Sequence, residues 1–193
     1  MKYEIETTNI FDKWLVGIKD TRDRARIISR FDHIHLGNFG DHKNLGGGLY
    51  ELRFFFGSGF RAYYTIKDGK VVFLLCGGDK SSQSKNIDKA RAIMAELEWL
   101  SMKVTIRKWD TSEYLDSPEM IHEYLKAAFE EGDNELLMAA IGNVAKAQGM
   151  SEIARKTNLS RQNLYKALSP NGAPKFETVK KVIEALGCKL AVV

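Results

Sequence analysis

Along residues 3–98 the apolar positions change period several times. Tyr3, Ile5 and Thr7 alternate with charged neighbours, the two-residue repeat of a strand. Phe11, Trp14, Leu15 and Ile18 then recur at helical spacing. A second helix opens at Asp20/Thr21, lines Ala25, Ile28, Phe31 and His35 or Leu36 along one face, and stops at Gly37. Gly46-Gly47-Gly48 is a flexible turn leading into three strand-like runs, 49–55, 60–66 and 71–76. Gly57-Ser58-Gly59 and Lys67-Asp68-Gly69-Lys70 separate the runs and read as hairpin turns. A last helix over about 87–99 carries Ile87, Ala90, Ile93, Met94 and Leu97 on one stripe. Two helices, an antiparallel meander and a helix make an α+β unit.

Around 98–101 the pattern restarts. Residues 103–107 alternate as a short strand behind Met102, and Ser117-Pro118 opens a helix with a cap and a first-turn proline. That helix points Ile121, Tyr124, Leu125, Ala128 and Phe129 inward and ends near Gly132. From Asn134 to Gly187 the pattern is helical almost throughout, and 190–193 form an apolar, strand-like tail. The expected domains are therefore 1–98, a junction at 99–101, and 102–193, the last split into a leading segment 102–133 and an all-helical 134–193.

The length of 193 residues suits two small units, each near the lower limit for a self-sufficient core. No apolar run is long enough to span a bilayer, and Met1-Lys2-Tyr3-Glu4 is unlike the start of a secretory signal, so the expected location is the cytoplasm. Cys76 and Cys188 are too few for a disulfide framework or a zinc site, and His33, His35, His42 and His122 form no ligand pattern. Neither metal nor cofactor is expected. The net charge of +4 is unevenly spread. Residues 103–135 hold nine acids and four bases, residues 146–189 nine bases and three acids. Such blocks suit two partners, a cationic protein surface for the first and nucleic acid for the second.

Residues 149–168 carry a helix-turn-helix pattern. Ser151 is placed to cap a short helix whose Ile153 and small Ala154 face inward, Asn158-Leu159 make the turn with Leu159 as its plug, and Ser160 caps the second helix. Leu164 and Leu168 point inside; Arg161, Gln162, Asn163, Tyr165 and Lys166 point out. Arginine pairs with guanine edges, and glutamine and asparagine with adenine, so Arg161, Gln162 and Asn163 are the base-reading candidates. Ser160, Tyr165 and Lys166 suit phosphates. Trp109-Asp110, Glu113-Tyr114-Leu115-Asp116, Gln148-Gly149-Met150-Ser151, Leu159-Ser160-Arg161 and the run 164–172 resemble the HigA-like addiction-module antidotes over nearly all of 102–193. The resemblance implies a λ-repressor-like domain binding operator DNA as a homodimer and repressing its own transcription.

In the first half, Arg53, Arg61, Tyr63, Tyr64, Lys80 and Lys85 surround the meander, with His42 and Lys43 in the loop before it. Cations hold phosphates and rings stack on bases, so this face suits RNA, with Lys43, Lys85 and Tyr63 as binding candidates. Cleavage by 2′-hydroxyl attack needs only a proton acceptor, a proton donor and cations for the pentavalent transition state. Residues 49–53, 59–64 and 74–83, followed by Asn86-Ile87-Asp88 and Ala90, resemble the RelE/HigB-like addiction-module toxins over essentially all of 1–98. The resemblance implies a metal-independent endoribonuclease that cuts mRNA on the ribosome. Its motif arginines carry over to Arg53 and Arg61, its lysine to Lys80, and a tyrosine to Tyr64. Cys76-Gly77-Gly78-Asp79 stands where many relatives have a histidine before glycine and an aromatic residue, which leaves the general acid and base open. ParE-like toxins of the same fold inhibit DNA gyrase instead, and a repressor with a non-enzymatic interaction domain is the third alternative. One chain would then hold a toxin and its antidote, the acidic 103–135 region lying on the basic face in cis or swapped between two chains.

Overall fold

The computed structural model describes residues 3–98, 104–169 and 172–190. The chain forms two compact units, Met1–Trp109 and Asp110–Val193.

In the first unit β3 (Leu49–Arg53), β4 (Arg61–Lys67) and β5 (Val71–Gly78) form the antiparallel meander that the alternation predicts. The opening strand β1 (Glu4–Thr8) joins β5 in parallel, Ile5 facing Val72, and is followed by α1 (Asn9–Val16), which packs against β5, and α2 (Thr21–Leu36). Both helices are capped: Thr8 Oγ1 accepts from the Phe11 N–H at 3.1 Å, and Asp20 accepts from the Asp23 N–H at 2.8 Å. Phe11 meets Phe31 edge-on, and both rings are fully buried. The other sheet face packs on α3 (Gln83–Glu98), where Leu49, Tyr63, Leu75 and Cys76 meet Ala90 and Ile93. His42–Asn44, expected as loop, is the edge strand β2 beside β3.

Gly77 lets one helix come close. A Cβ there would stand 2.2 Å from the Trp14 ring, too near for the indole to yield without repacking. Gly77→Ala should cost about 1–3 kcal/mol in urea unfolding, the usual penalty for overpacking.

The strand expected to open the second domain behaves differently. The strand found there, β6 (Ile106–Lys108), pairs antiparallel with β1 and closes the first unit's sheet, whose order is β2-β3-β4-β5-β1-β6. The Asn9 N–H donates to the Thr105 carbonyl at 3.1 Å and the Trp109 N–H to the Ile5 carbonyl at 2.9 Å. Trp109 meets Phe31 edge-on, and Arg107 Nε lies 2.6 Å from Asp12 Oδ2. An unpaired β1 would expose a row of backbone donors and acceptors, and β6 satisfies them. This strand therefore sits at the edge opposite β2, not over the arginines of β3 and β4 as expected. Met102 and Lys103, read as part of it, lie outside the described residues.

The second unit begins with a 3-10 turn, Thr111–Tyr114, and continues as α4 (Pro118–Glu130), α5 (Asn134–Ala147), α6 (Met150–Thr157), α7 (Arg161–Ala167) and α8 (Phe176–Ala185). Ser117 and Asp133 cap α4 and α5. Leu136, Ala140, Ile141, Val144, Ile153, Leu164, Val182 and Ile183 form its core. Phe129, expected inside, is exposed; it lies in the last turn of α4, just before the helix ends at Glu130. Of the apolar tail, Leu190 is exposed and not in a strand; 191–193 lie outside the described residues.

Asp110 is paired with Lys146. Burial pushes its carboxyl up, but the Lys146 and Ser112 hydrogen bonds and the Lys146 charge outweigh this and hold it below the ordinary value. The pair's contribution is thus complete above about pH 4, where an unfolded aspartate ionises, and is lost as pH falls through the lowered value. Asp110→Asn should flatten that part of the acid-unfolding curve of the helical unit, followed by circular dichroism.

Candidate functional site

The register of the meander sets Arg53 directly opposite Arg61. The two arginines do different things. Arg53 is half-buried, and its Nε lies 2.5 Å from Asp41 Oδ1. Arg61 is buried. Its Nη1 donates to the carbonyls of Phe60 at 2.9 Å, Gly59 at 3.1 Å and Phe54 at 3.4 Å, which ties the β3–β4 turn to the sheet. Its Nε stands 3.9 Å from Glu51 Oε2. Glu51 is 1% exposed and accepts from the Tyr63 hydroxyl at 3.1 Å and from Gln83 Nε2 at 2.7 Å. A buried carboxylate needs such partners, and here they are a cation, a phenol and an amide.

Sequence reasoning missed Glu51 and Gln83. The signal was there: Leu49, Glu51 and Arg53 alternate onto one face, and a charge between an apolar residue and an arginine on an inward face asks for a partner. Burial, then the charge and hydrogen bond of Glu51, push the Tyr63 hydroxyl well above the ordinary phenol range, so it stays protonated and donates. Tyr64 points to the other face, stacked with Phe39 at 5.4 Å and Tyr50 at 5.2 Å between ring centroids. It is core, remote in direction from both arginines, and burial raises its hydroxyl too.

Lys80 is exposed and begins the short 3-10 turn Lys80–Ser82. Asp79 caps that turn, accepting from the Ser82 N–H at 3.0 Å and from the Ser81 and Ser82 hydroxyls at 2.5 and 3.0 Å. These bonds hold its carboxyl below the ordinary range. A Cβ on Gly59 would lie 3.5 Å from Lys80 Cβ, so the lysine stem flanks the turn that Arg61 ties. A Cβ on Gly78, opposite Arg61, would meet Asn86 Nδ2 at 2.0 Å, so the Asn86 amide, which donates to Ser82 Oγ at 2.8 Å, would have to move. Lys43 faces Glu51 in register from β2 and is exposed. Lys85 is exposed on the first turn of α3 and is not drawn to the cluster. The structure thus gathers Arg53, Arg61, Lys80 and Tyr63 with Glu51 and Gln83, and leaves Tyr64 outside.

In the second unit α6 and α7 form the expected helix pair. The α6 start differs: Gly149 precedes it without a side-chain cap, and Ser151 is already helical and exposed. Asn158 adopts the left-handed conformation at φ 55°, and Thr157 Oγ1 donates to the Ile153 carbonyl at 2.7 Å. Ser160 caps α7 by accepting from the Asn163 N–H at 3.1 Å. Leu164 and Leu168 are buried, while Ser160, Arg161, Gln162, Asn163, Tyr165 and Lys166 are all exposed. If Gln162 reads a base, Gln162→Ala should weaken binding to the cognate site by about 1–3 kcal/mol and leave random DNA unaffected in a gel-shift titration. Equal loss on both would make it a phosphate contact.

Comparison with known proteins separates the chain at nearly the same place. Residues 13–97 match the family described as phage derived protein Gp49-like, and residues 105–193 the family described as probable addiction module antidote protein. Two curated relatives, both uncharacterized proteins of Haemophilus influenzae, are similar too. One is 44% identical over 97 residues, 50% of this chain and 98% of the relative; the other is 43% identical over 91 residues, 47% of this chain and 94% of the relative. No solved structure matches the chain significantly. The antidote match begins ahead of β6, so the last strand of the first unit's sheet comes from the segment that resembles an antidote.

Proposed function

We propose that this chain, which belongs to the Gp49-like phage-derived family over residues 13–97 and to the probable addiction module antidote family over residues 105–193, is a type II toxin–antitoxin module whose first half cuts mRNA on the ribosome. The two families make it a toxin and an antidote on one polypeptide. The finer reading is that the toxin is a metal-independent endoribonuclease of the RelE/HigB-like α+β kind. The antidote, HigA-like with a λ-repressor-like helix-turn-helix, silences it, binds operator DNA as a homodimer and represses its own transcription. Among the described residues no helix is long and apolar enough to cross a membrane.

The observation that carries the pairing is β6. A strand from the antidote segment supplies the backbone partners of β1. Tethering strengthens such a contact, since a short linker gives an effective concentration of about a millimolar or more. RNA cleavage is supported by the paired Arg53 and Arg61 and the adjacent Lys80. Arg53 would take the scissile phosphate, Lys80 would stand near the leaving oxygen, and Arg61, fixed by Glu51 and the turn carbonyls, would contribute charge from beneath. The burial of Arg61 also favours a second reading, a ParE-like gyrase inhibitor in which that arginine is purely architectural. Incubating the toxin half with a ribosome-programmed translation extract, and separately with gyrase and relaxed plasmid, decides between them. Cleaved message with normal supercoiling supports the nuclease; intact message with blocked supercoiling rejects it.

A further inference from the structure

We propose that Phe55 is a base-stacking residue: its ring takes an unpaired nucleobase of single-stranded RNA while Arg53 holds a neighbouring phosphate. This rests on the RNA reading of the same site and adds to it a subsite built on a residue outside the catalytic cluster. Three phenylalanines in a row leave β3, and they divide sharply. Phe54 is 4% exposed and meets Phe56 edge-on at 5.7 Å. Phe56 in turn meets Phe60 at 6.1 Å and carries the Arg26 guanidinium 3.9 Å from its centroid. Phe55 is 73% exposed.

An exposed phenylalanine alone says little. Its neighbours decide. The Arg61 guanidinium lies 5.8 Å and that of Arg53 6.0 Å from the Phe55 centroid. Arg61 is anchored by the turn carbonyls, so the cation beside the ring is fixed, whereas Arg53 reaches solvent through its Asp41 pair. A nucleotide is an aromatic plane joined to an anion, and an open ring beside guanidiniums matches both parts. Stacking accepts any base, which suits an RNA seat without hydrogen-bond readout. The position, at the end of β3, is also well away from β6 at the far edge of the sheet.

The test is fluorescence anisotropy of the full 193-residue chain with a short labelled oligoribonucleotide and with a ribose-phosphate strand of equal length lacking bases. Phe55→Ala should weaken binding of the base-bearing strand about tenfold and leave the base-free strand unchanged. Phe55→Leu, apolar but without a π face, should behave like alanine, and Phe55→Trp should bind at least as well as the parent. Arg53→Ala should weaken both strands. If Phe55→Ala or Phe55→Leu binds like the parent while Arg53→Ala does not, stacking is overturned and the RNA reading stands. If the parent chain binds neither strand, both are overturned.

Discussion

Glu51→Ala should destabilise the first unit by about 3–5 kcal/mol, the range for breaking a buried charge pair from one side. The carboxylate is 1% exposed and serves three groups: Arg61 at 3.9 Å, Tyr63 at 3.1 Å and Gln83 at 2.7 Å. Removing it leaves a guanidinium buried without a counter-charge and a phenol without an acceptor. Glu51→Gln keeps an acceptor and should lose less. Replacing Glu51 and Arg61 together by apolar residues of similar volume should recover much of the loss, because the desolvation of both charges disappears with them. All three tryptophans, Trp14, Trp99 and Trp109, lie in the first 109 residues, so tryptophan fluorescence in urea follows this unit alone. A loss under about 1 kcal/mol for Glu51→Ala would mean that the cluster is more solvated than its burial implies.

Arg53→Ala should reduce mRNA cleavage by about two to three orders of magnitude, the usual cost of removing one preorganised transition-state donor. Arg61 is committed to three backbone carbonyls, so Arg53 is the motif arginine able to swing onto a phosphate. Its pair with Asp41 is a third exposed on the arginine side, and such pairs add little to stability. Cleavage should therefore fall while the urea midpoint hardly moves. Arg53→Lys keeps the charge but loses the planar fork and should recover only part of the rate. Primer extension on ribosome-bound message reads the first effect, and tryptophan fluorescence the second.

Local patterns in the chain map directly onto what the structure contains. The Asp68-Gly69 turn has positive φ at both residues, as a tight hairpin requires, and alternation locates β3, β4 and β5 within a residue or two. Ser160, Leu164 and the polar positions around them lie where helical spacing puts them. Pairings made at long range were not legible. Nothing local in Glu4–Thr8 says that it will pair with both β5 and β6, or that β6 belongs to the first unit. His42–Asn44 is polar throughout and has no apolar face to betray a strand. Tyr63 and Tyr64 are alike in type and equally buried; alternation from Arg61 puts Tyr63 on the arginine face, but that both faces of β4 are covered shows only in the assembled sheet. Glu51 was legible only in part: alternation puts its charge on the same face as Leu49, but the partners that keep it buried arrive from β4 and α3.

The most direct test is growth and message integrity in cells expressing residues 1–98 alone, then together with residues 102–193 as a separate chain. Residues 1–98 should arrest growth and leave cleaved ribosome-bound mRNA, the second chain should relieve both effects, and the intact 193-residue chain should be harmless. A folded 1–98 fragment that lets cells grow and leaves their message uncut would contradict the silenced nuclease.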